Sequence, residues 1–173
     1  MAARAGLPFG PAASALESMN LSCAIRPASD GDLASLLPLF RDYQHHYGQL
    51  TSAGEEQTRA FLGDLIADPR SGFVLLAVRE GSIVGFAAVY ITVSGLIAQR
   101  IAHLGDLYVA PKERRSGVAT ALFDAVSQEA RSRGIRLVRW LSLSSNTDLN
   151  RWYSRLVKPA GTFELFLRPT GAP

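Results

Sequence analysis

The chain has a single cysteine, Cys23, in 173 residues, so no disulfide can form within it and packing alone must hold it together. No local motif around Cys23 suggests a nucleophile, and such sparing use of thiols fits a reducing compartment. No apolar run approaches the roughly 20 residues that cross a bilayer, and the N-terminal stretch lacks the apolar h-region of a secretory signal. These absences predict a cytoplasmic protein with no membrane partner. Runs of Lys and Arg are missing as well: 18 basic against 15 acidic residues leave a formal charge of +3. Nucleic-acid binding needs that charge gathered on one face, so no nucleic-acid partner is expected, although a small basic excess suits a polyanionic cofactor. The Gly-Lys-Ser/Thr ending of a P-loop is absent, and so are the three spaced glycines of the dinucleotide fingerprint.

What is present is an ordinary globular balance, 47% hydrophobic and 19% charged, at a length that suits one domain. Residues 1–22 read as a loose arm with at most a short helix at 12–19, and Met19 is an alternative start. Residues 23–173 read as a single domain. A short strand at Ala24, Ile25 and Arg26 is ended by Pro27. Ser29, Asp30 and Asp32 offer helix caps, and Leu33, Leu36, Leu37 and Phe40 follow at helical spacing, predicting a helix to about Tyr47. A second helix carries Phe61, Leu62, Leu65 and Ile66 on one stripe and stops at Asp68-Pro69. Strands at 73–80 and 82–93 flank a tight turn at Glu80-Gly81. A strand at 101–109, a loop at 110–116 and a helix at 117–133 follow, the helix closed by Gly134. A strand at 136–142, a short helix at 148–156 and a strand at 162–168 complete the chain. Phe123, Trp140 and Trp152 read as core. The fold class this order predicts is α/β (α+β), a mixed sheet with helices on both faces.

The passage from strand through a Gly-containing loop into a helix, residues 104–122, carries the chemistry. A helix N-terminus leaves backbone N–H groups without intrahelical partners and holds about half a positive charge. Gly117 lets that backbone approach an anion without a Cβ in the way. Lys112, Arg114 and Arg115 add charge, and Ser116 and Thr120 add hydroxyls. A phosphate-bearing ligand at the end of a sheet strand is the reading these residues support.

The segment resembles the signature loop of the GCN5-related N-acetyltransferases, Gln/Arg-x-x-Gly-x-Gly/Ala, here Arg114-x-x-Gly117-x-Ala119. Asp106-Leu107-Tyr108-Val109-x-Pro111 upstream looks like the family's central strand and its exit. Asn146-x-x-Leu149-x-x-x-Tyr153 downstream is similar to its later motif. The resemblance covers about residues 24–168. It implies an acyl-CoA N-acyltransferase fold, with a mostly antiparallel sheet of six to seven strands, and an N-acetyltransferase that uses acetyl-CoA and no metal. By that resemblance the backbone of Leu107, Tyr108 and Val109 would pair with the pantetheine arm. Arg114, Arg115, Ser116, Gly117, Val118, Ala119 and Thr120 would wrap the pyrophosphate, and Asn146 and Asn150 would lie near the cofactor arm. Tyr153 would protonate the departing thiolate; its other reading is a packing tyrosine on an amphipathic helix. A backbone N–H near Val109 would polarise the carbonyl.

Two departures from the family pattern stand out. Relatives often carry Glu immediately before the Asp of the central strand, where this chain has Gly105. His103, two residues earlier on the same face by the strand's period, is then the candidate base, against an exposed strand-start histidine or a water chain with no dedicated base. After Tyr153, Leu156-Val157-Lys158-Pro159-Ala160-Gly161 replaces a common Leu-Gly-Phe turn. Asp42, Tyr43, His45, His46 and Tyr47 form a polar-aromatic cluster that reads either as a solvated face or as a rim for the acceptor amine, with Asp42, Glu55 or Glu56 supplying charge. His45 and His46 are adjacent and face apart, so no metal site is expected. The acceptor would be a small-molecule or peptide amine, and the resemblance leaves a homodimer open. A module that binds acyl-CoA without turnover is the alternative, favoured by Gly105 and opposed by Tyr153.

Overall fold

The computed structural model describes residues 23–46 and 53–162. They fall into two compact units whose boundary lies between Arg139 and Trp140. The first unit is built on a sheet of five strands in the order β1-β2-β3-β4-β5. These are β1 Ala24–Pro27, β2 Gly72–Arg79, β3 Ser82–Ser94, β4 Gln99–Val109 and β5 Val138–Arg139. The first four pair antiparallel, and β5 joins β4 in parallel. The sheet is thus mixed and mostly antiparallel, as expected, with one strand fewer than the six read along the chain. The sixth, at 162–168, falls almost wholly outside the described residues, as do the expected short helix at 12–19, Met19 and Tyr47.

Helix α1, Leu33–His46, and helix α2, Glu55–Ala67, cover one face of the sheet. Their stripes of Leu36, Leu37, Leu39, Phe40, Leu62 and Leu65 pack on Val74, Leu76, Phe86, Ala88 and Tyr108, the alternate positions of three strands. This is the period of 3.6 meeting the period of 2. The start of α1 follows the predicted cap: the Ser29 N–H and hydroxyl both donate to Asp32 Oδ2 at 2.8 Å, and Arg26 donates to both Asp32 oxygens. Pro38 sits inside α1 on its solvent side, where its missing N–H removes one helical bond without opening the core. Thr58, buried, ties α2 to α1 by accepting from Gln44 Nε2 at 3.1 Å and donating to Gly54 O at 2.9 Å.

Helix α3, Val118–Ser132, lies against the opposite face. Leu122, Val126 and Ala130 are buried, and Leu122 and Val109 both crowd the position a Cβ on Gly85 would take. Gly134, with φ 72°, closes α3 as expected. The turn between β2 and β3 places both Glu80 (φ 51°) and Gly81 (φ 78°) in the left-handed region, matching the twist of a two-residue hairpin.

The strand expected at 136–142 shrinks to Val138–Arg139. A strand exists only where a neighbour supplies a ladder, and β4 offers that ladder at Ala102 and His103 alone. The second unit contains helix α4, Thr147–Leu156, one residue longer at its start than the sequence suggests. No described helix is long and apolar enough to cross a membrane.

Candidate functional site

The two edges of β4 are used differently. On the β3 side it is paired from Gln99 to Val109. On the β5 side pairing stops at His103, so residues 104–109 have no strand partner there among the described residues. Backbone N–H and C=O groups left this way require another partner. Backbone groups of successive residues face opposite edges. With the Ala110 N–H bonded to Val84 O, Tyr108 is turned toward Phe86 of β3. Of the three expected residues, Leu107 and Val109 alone face the open edge, and there Val109 O accepts from Arg114 Nε.

Beyond Val109 the chain makes a short 3-10 turn, Pro111–Glu113, and enters α3 through Arg114, Arg115, Ser116 and Gly117. Arg115 (φ 63°) and Gly117 (φ 84°) are both left-handed, and Gly117 is the N-cap of α3. A side chain at 117 would be strained by that backbone. The first helical bond runs from Ala121 N–H to Gly117 O at 3.0 Å, so the N–H groups of the turn opening at Val118 point out of the helix end. Gly117 makes no side-chain cap.

Three contacts fix the loop. Arg114 Nε donates to Val109 O at 3.0 Å while its guanidinium lies 5.5 Å from the Tyr108 ring centroid. Ser116 Oγ donates to Glu113 O at 2.6 Å. Glu113 pairs with Arg79 of β2. Arg114 and Ser116 therefore shape the loop, while the exposed Lys112 and Arg115 surround it with charge. Ala119 and Thr120 lie half-buried on the first turn of α3.

Beside this end of β4, on the face covered by α1 and α2, lies a polar cluster that the sequence did not reveal. The register of β4 against β3 shifts between Ala88 and Val89: Ala88 faces Asp106 and Val89 faces Leu104. Gly105 is the extra residue, a bulge. The bulge turns Asp106 to the same face as His103, although they are three positions apart and an unbroken strand would set them on opposite faces. Tyr43 of α1 donates its hydroxyl proton to Asp106 Oδ1 at 2.6 Å, and Tyr90 of β3 donates to Asp106 Oδ2. Burial, followed by the charge of Asp106, pushes the Tyr90 phenol far above its usual pKa. Tyr43 thus faces the sheet and leaves the rim expected from its neighbours; Asp42, His45 and His46 remain exposed.

Gly105 has a steric reason. A Cβ there would run into the Tyr90 ring at Cε2. Tyr90 therefore fills the space above the residue where the resemblance expects a glutamate. His103, half-buried, stands with its ring 6.4 Å from that of Tyr90, and its Nδ1 is buried without a hydrogen-bond partner. Its pKa is lowered, first by burial and then by the positive charge of Arg139, with the Arg139 backbone and Asp106 pulling the other way. The imidazole is accordingly biased toward its neutral form. One signal for this cluster was present in the sequence: a lone glycine inside a strand marks a bulge.

The remaining predicted site residues belong to the second unit. Asn146 caps α4, its Oδ1 accepting from the Leu149 N–H at 3.3 Å. Asn150 Nδ2 donates to Leu143 O at 2.8 Å and to Ser144 O at 3.4 Å. Both amides hold the approach to α4 in shape. Tyr153 packs between two indoles, 5.1 Å from Trp140 and 4.7 Å from Trp152. Phe123 is buried as expected, whereas Trp140 and Trp152 are only half-buried. The indoles thus stand beside Tyr153 instead of filling a core, and α4 itself buries none of its residues.

A family model described as the acetyltransferase (GNAT) family matches residues 34–156. An uncharacterized N-acetyltransferase, YhfO of Bacillus subtilis (strain 168), is 32% identical over 112 residues, which span 65% of this chain and 73% of that protein. The solved structure of a probable acetyltransferase is 29% identical, with a TM-score of 0.72 over 86% of this chain and 99% of its own. The aminoglycoside N-acetyltransferase AAC(6')-Iy, solved with CoA, reaches a TM-score of 0.74 over 86% of this chain and 95% of its own. At 20% identity that last likeness speaks for the fold alone.

Proposed function

The chain belongs to the GNAT acetyltransferase family and is an acetyltransferase; from that premise we propose that it moves acetyl from acetyl-CoA to a primary amine on a small molecule or peptide. Acetyl-CoA supplies a thioester whose carbonyl an amine can attack and whose thiolate can leave. The edge of β4 beyond His103, which has no strand partner among the described residues and to which Leu107 and Val109 turn their backbone, gives a pantetheine arm a strand to lie beside. The left-handed Gly117 cap and the first turn of α3 give its pyrophosphate backbone N–H donors, with Arg115 adding charge. Together these residues fit the cofactor, and the observation that carries the reading is Gly117 in a left-handed cap directly after the open end of β4.

The chain's own residues then have separate tasks. A backbone N–H near Val109 polarises the acyl carbonyl. Tyr153 Oη gives a proton to the departing sulfur. His103, held toward neutrality, takes a proton from the amine at an imidazole nitrogen, directly or through water. Asn146 and Asn150 shape the lead into the helix that carries Tyr153.

One observation, Gly105 in place of a carboxylate, favours a second reading: a module that binds acyl-CoA without turnover. A thermal-shift titration with acetyl-CoA, with adenosine and pantetheine as controls, tests the binding shared by both readings, since ligand that binds only the folded state raises Tm. No shift at millimolar acetyl-CoA would overturn both. Thiol release with an amine panel then separates them. For Tyr153→Phe, the expected result is turnover reduced about a hundredfold at unaltered acetyl-CoA affinity, and normal turnover would remove the general-acid role.

A further inference from the structure

Tyr90 does more than cover Gly105. It also lines a groove of about 490 Å³ beside α2, together with Phe61, Asp64, Leu65, Asp68 and Ser71. That volume lies in the range of small-molecule sites. Phe61, on α2, is 40% exposed, yet its ring sits 6.0 Å from that of Tyr90. The two rings, tilted 53° to each other, are both part of the lining. Asp68 is engaged locally, accepting from the Ser71 hydroxyl at 2.6 Å and the Arg70 N–H at 3.0 Å. Asp64, one helical turn earlier, is exposed. The lining thus joins apolar Phe61 and Leu65 to the carboxylates of Asp64 and of Asp68, the latter also paired with Arg70 Nε at 3.4 Å. Among the described residues no basic residue lines it.

We propose that this groove is the acceptor site, that it takes an amine carrying a second positive charge, and that Tyr90 reads the reacting amine. The inference rests on the N-acetyltransferase reading above. The phenolic proton of Tyr90 is committed to Asp106, so its oxygen can only accept a hydrogen bond from a newcomer, and an amine is a donor. Asp106 beneath it supplies the negative charge. An ammonium is attracted both to that dipole and to the faces of Tyr90 and Phe61, and a second ammonium about a helical turn away meets Asp64. Gly105 is what allows this arrangement, because any side chain there displaces the Tyr90 ring.

The test is a rate comparison at saturating acetyl-CoA, reading thiol release with spermidine and with n-hexylamine, an aliphatic monocation. Tyr90→Phe keeps the ring and its packing and removes only the oxygen. It is expected to raise the KM of both amines about tenfold, the loss of one hydrogen bond to a charged group, while kcat and acetyl-CoA affinity move little. Asp64→Asn, a surface change, is expected to lower the preference for spermidine over n-hexylamine about two- to fivefold, the scale of an exposed charge pair. Unmoved amine KM in Tyr90→Phe, or an unmoved preference in Asp64→Asn, overturns the proposal. The melting temperature of each protein, with and without acetyl-CoA, is read alongside. If acetyl-CoA stabilises the wild-type protein but spermidine neither reacts nor binds in calorimetric titration, the groove assignment falls and the cofactor reading stands. If acetyl-CoA gives no shift, the enzyme reading fails first and the groove assignment fails with it.

Discussion

The two edges of β4 divide the labour of the fold. Toward β3 the strand has ten registered partners, from Gly85 opposite Val109 to Ser94 opposite Gln99; toward β5 it has two. The first edge anchors the sheet from which Phe86 and Ala88 reach into the packed layer under α1 and α2. The second lets go after His103, just before the bulge at Gly105 and the loop that leads to Gly117. One edge satisfies its own backbone, and the other leaves backbone groups for something else to satisfy. Changes behind the closed edge should therefore cost stability and spare cofactor affinity, and changes along the open edge should do the reverse.

The largest effect belongs to the closed side. Phe86 is fully buried, stacked on Phe40 at 4.9 Å and flanked by Tyr43 and Tyr108. Phe86→Ala is expected to cost about 3–5 kcal/mol in denaturant unfolding, the usual range for emptying a packed aromatic site. Any folded fraction should bind acetyl-CoA as the parent does. A cost under about 1 kcal/mol would mean that this layer is not the core.

On the open side the counterpart is Gly117→Asp. The new carboxylate would stand beside the pyrophosphate site, and calorimetry is expected to read a loss of about a hundredfold in acetyl-CoA affinity, or about 2.7 kcal/mol. The left-handed φ of 84° adds a stability cost of about 1 kcal/mol. Gly117→Ala carries the same backbone strain without the charge, so it isolates the electrostatic part. Equal affinity in the two variants would remove the anion from this loop.

Gly105→Ala lies where the edges meet. Its Cβ would collide with the Tyr90 ring, and overpacking of this kind costs about 1–3 kcal/mol. Combining it with Tyr90→Ala should return part of that cost, because the second change removes the atoms the first one meets; strictly additive losses would show that the collision relaxes elsewhere.

The same division explains what the sequence disclosed. Helices α1, α2 and α3, the β2–β3 hairpin and the caps at Ser29 and Gly134 are local patterns, set by spacing, turn residues and backbone preferences within a few positions. The Gly117 loop was legible for the same reason. The Tyr43–Asp106–Tyr90 cluster was not, because it is assembled from three elements by a register shift that exists only once β3 and β4 have paired. Counting by twos puts His103 and Asp106 on opposite faces, and only the bulge corrects that. The length of β5 was equally hidden, since Arg136 and Leu137 read as strand until the partner they would need is seen to pair no further back than Ala102.

The smallest expected effect probes the point where pairing with β5 ends. Facing His103 are Tyr90 from β3, Asp106 from its own strand and Arg139 from β5, and burial and Arg139 outweigh the acid, lowering its pKa below the ordinary 6.5. The unfolded chain, with the ordinary value, binds more protons than the folded protein between that lowered pKa and 6.5. Stability therefore falls as the pH drops through this window and stops falling below the folded pKa. His103→Gln removes the titration while keeping a polar side chain. Melting curves from pH 7.5 to 5 should show the wild-type protein losing about one or two degrees more than the variant, a modest difference because His103 is only half-buried and solvent screens its neighbours. Parallel curves would mean that His103 titrates as it does in the unfolded chain, and its bias toward the neutral form, on which its role as proton acceptor depends, would be gone.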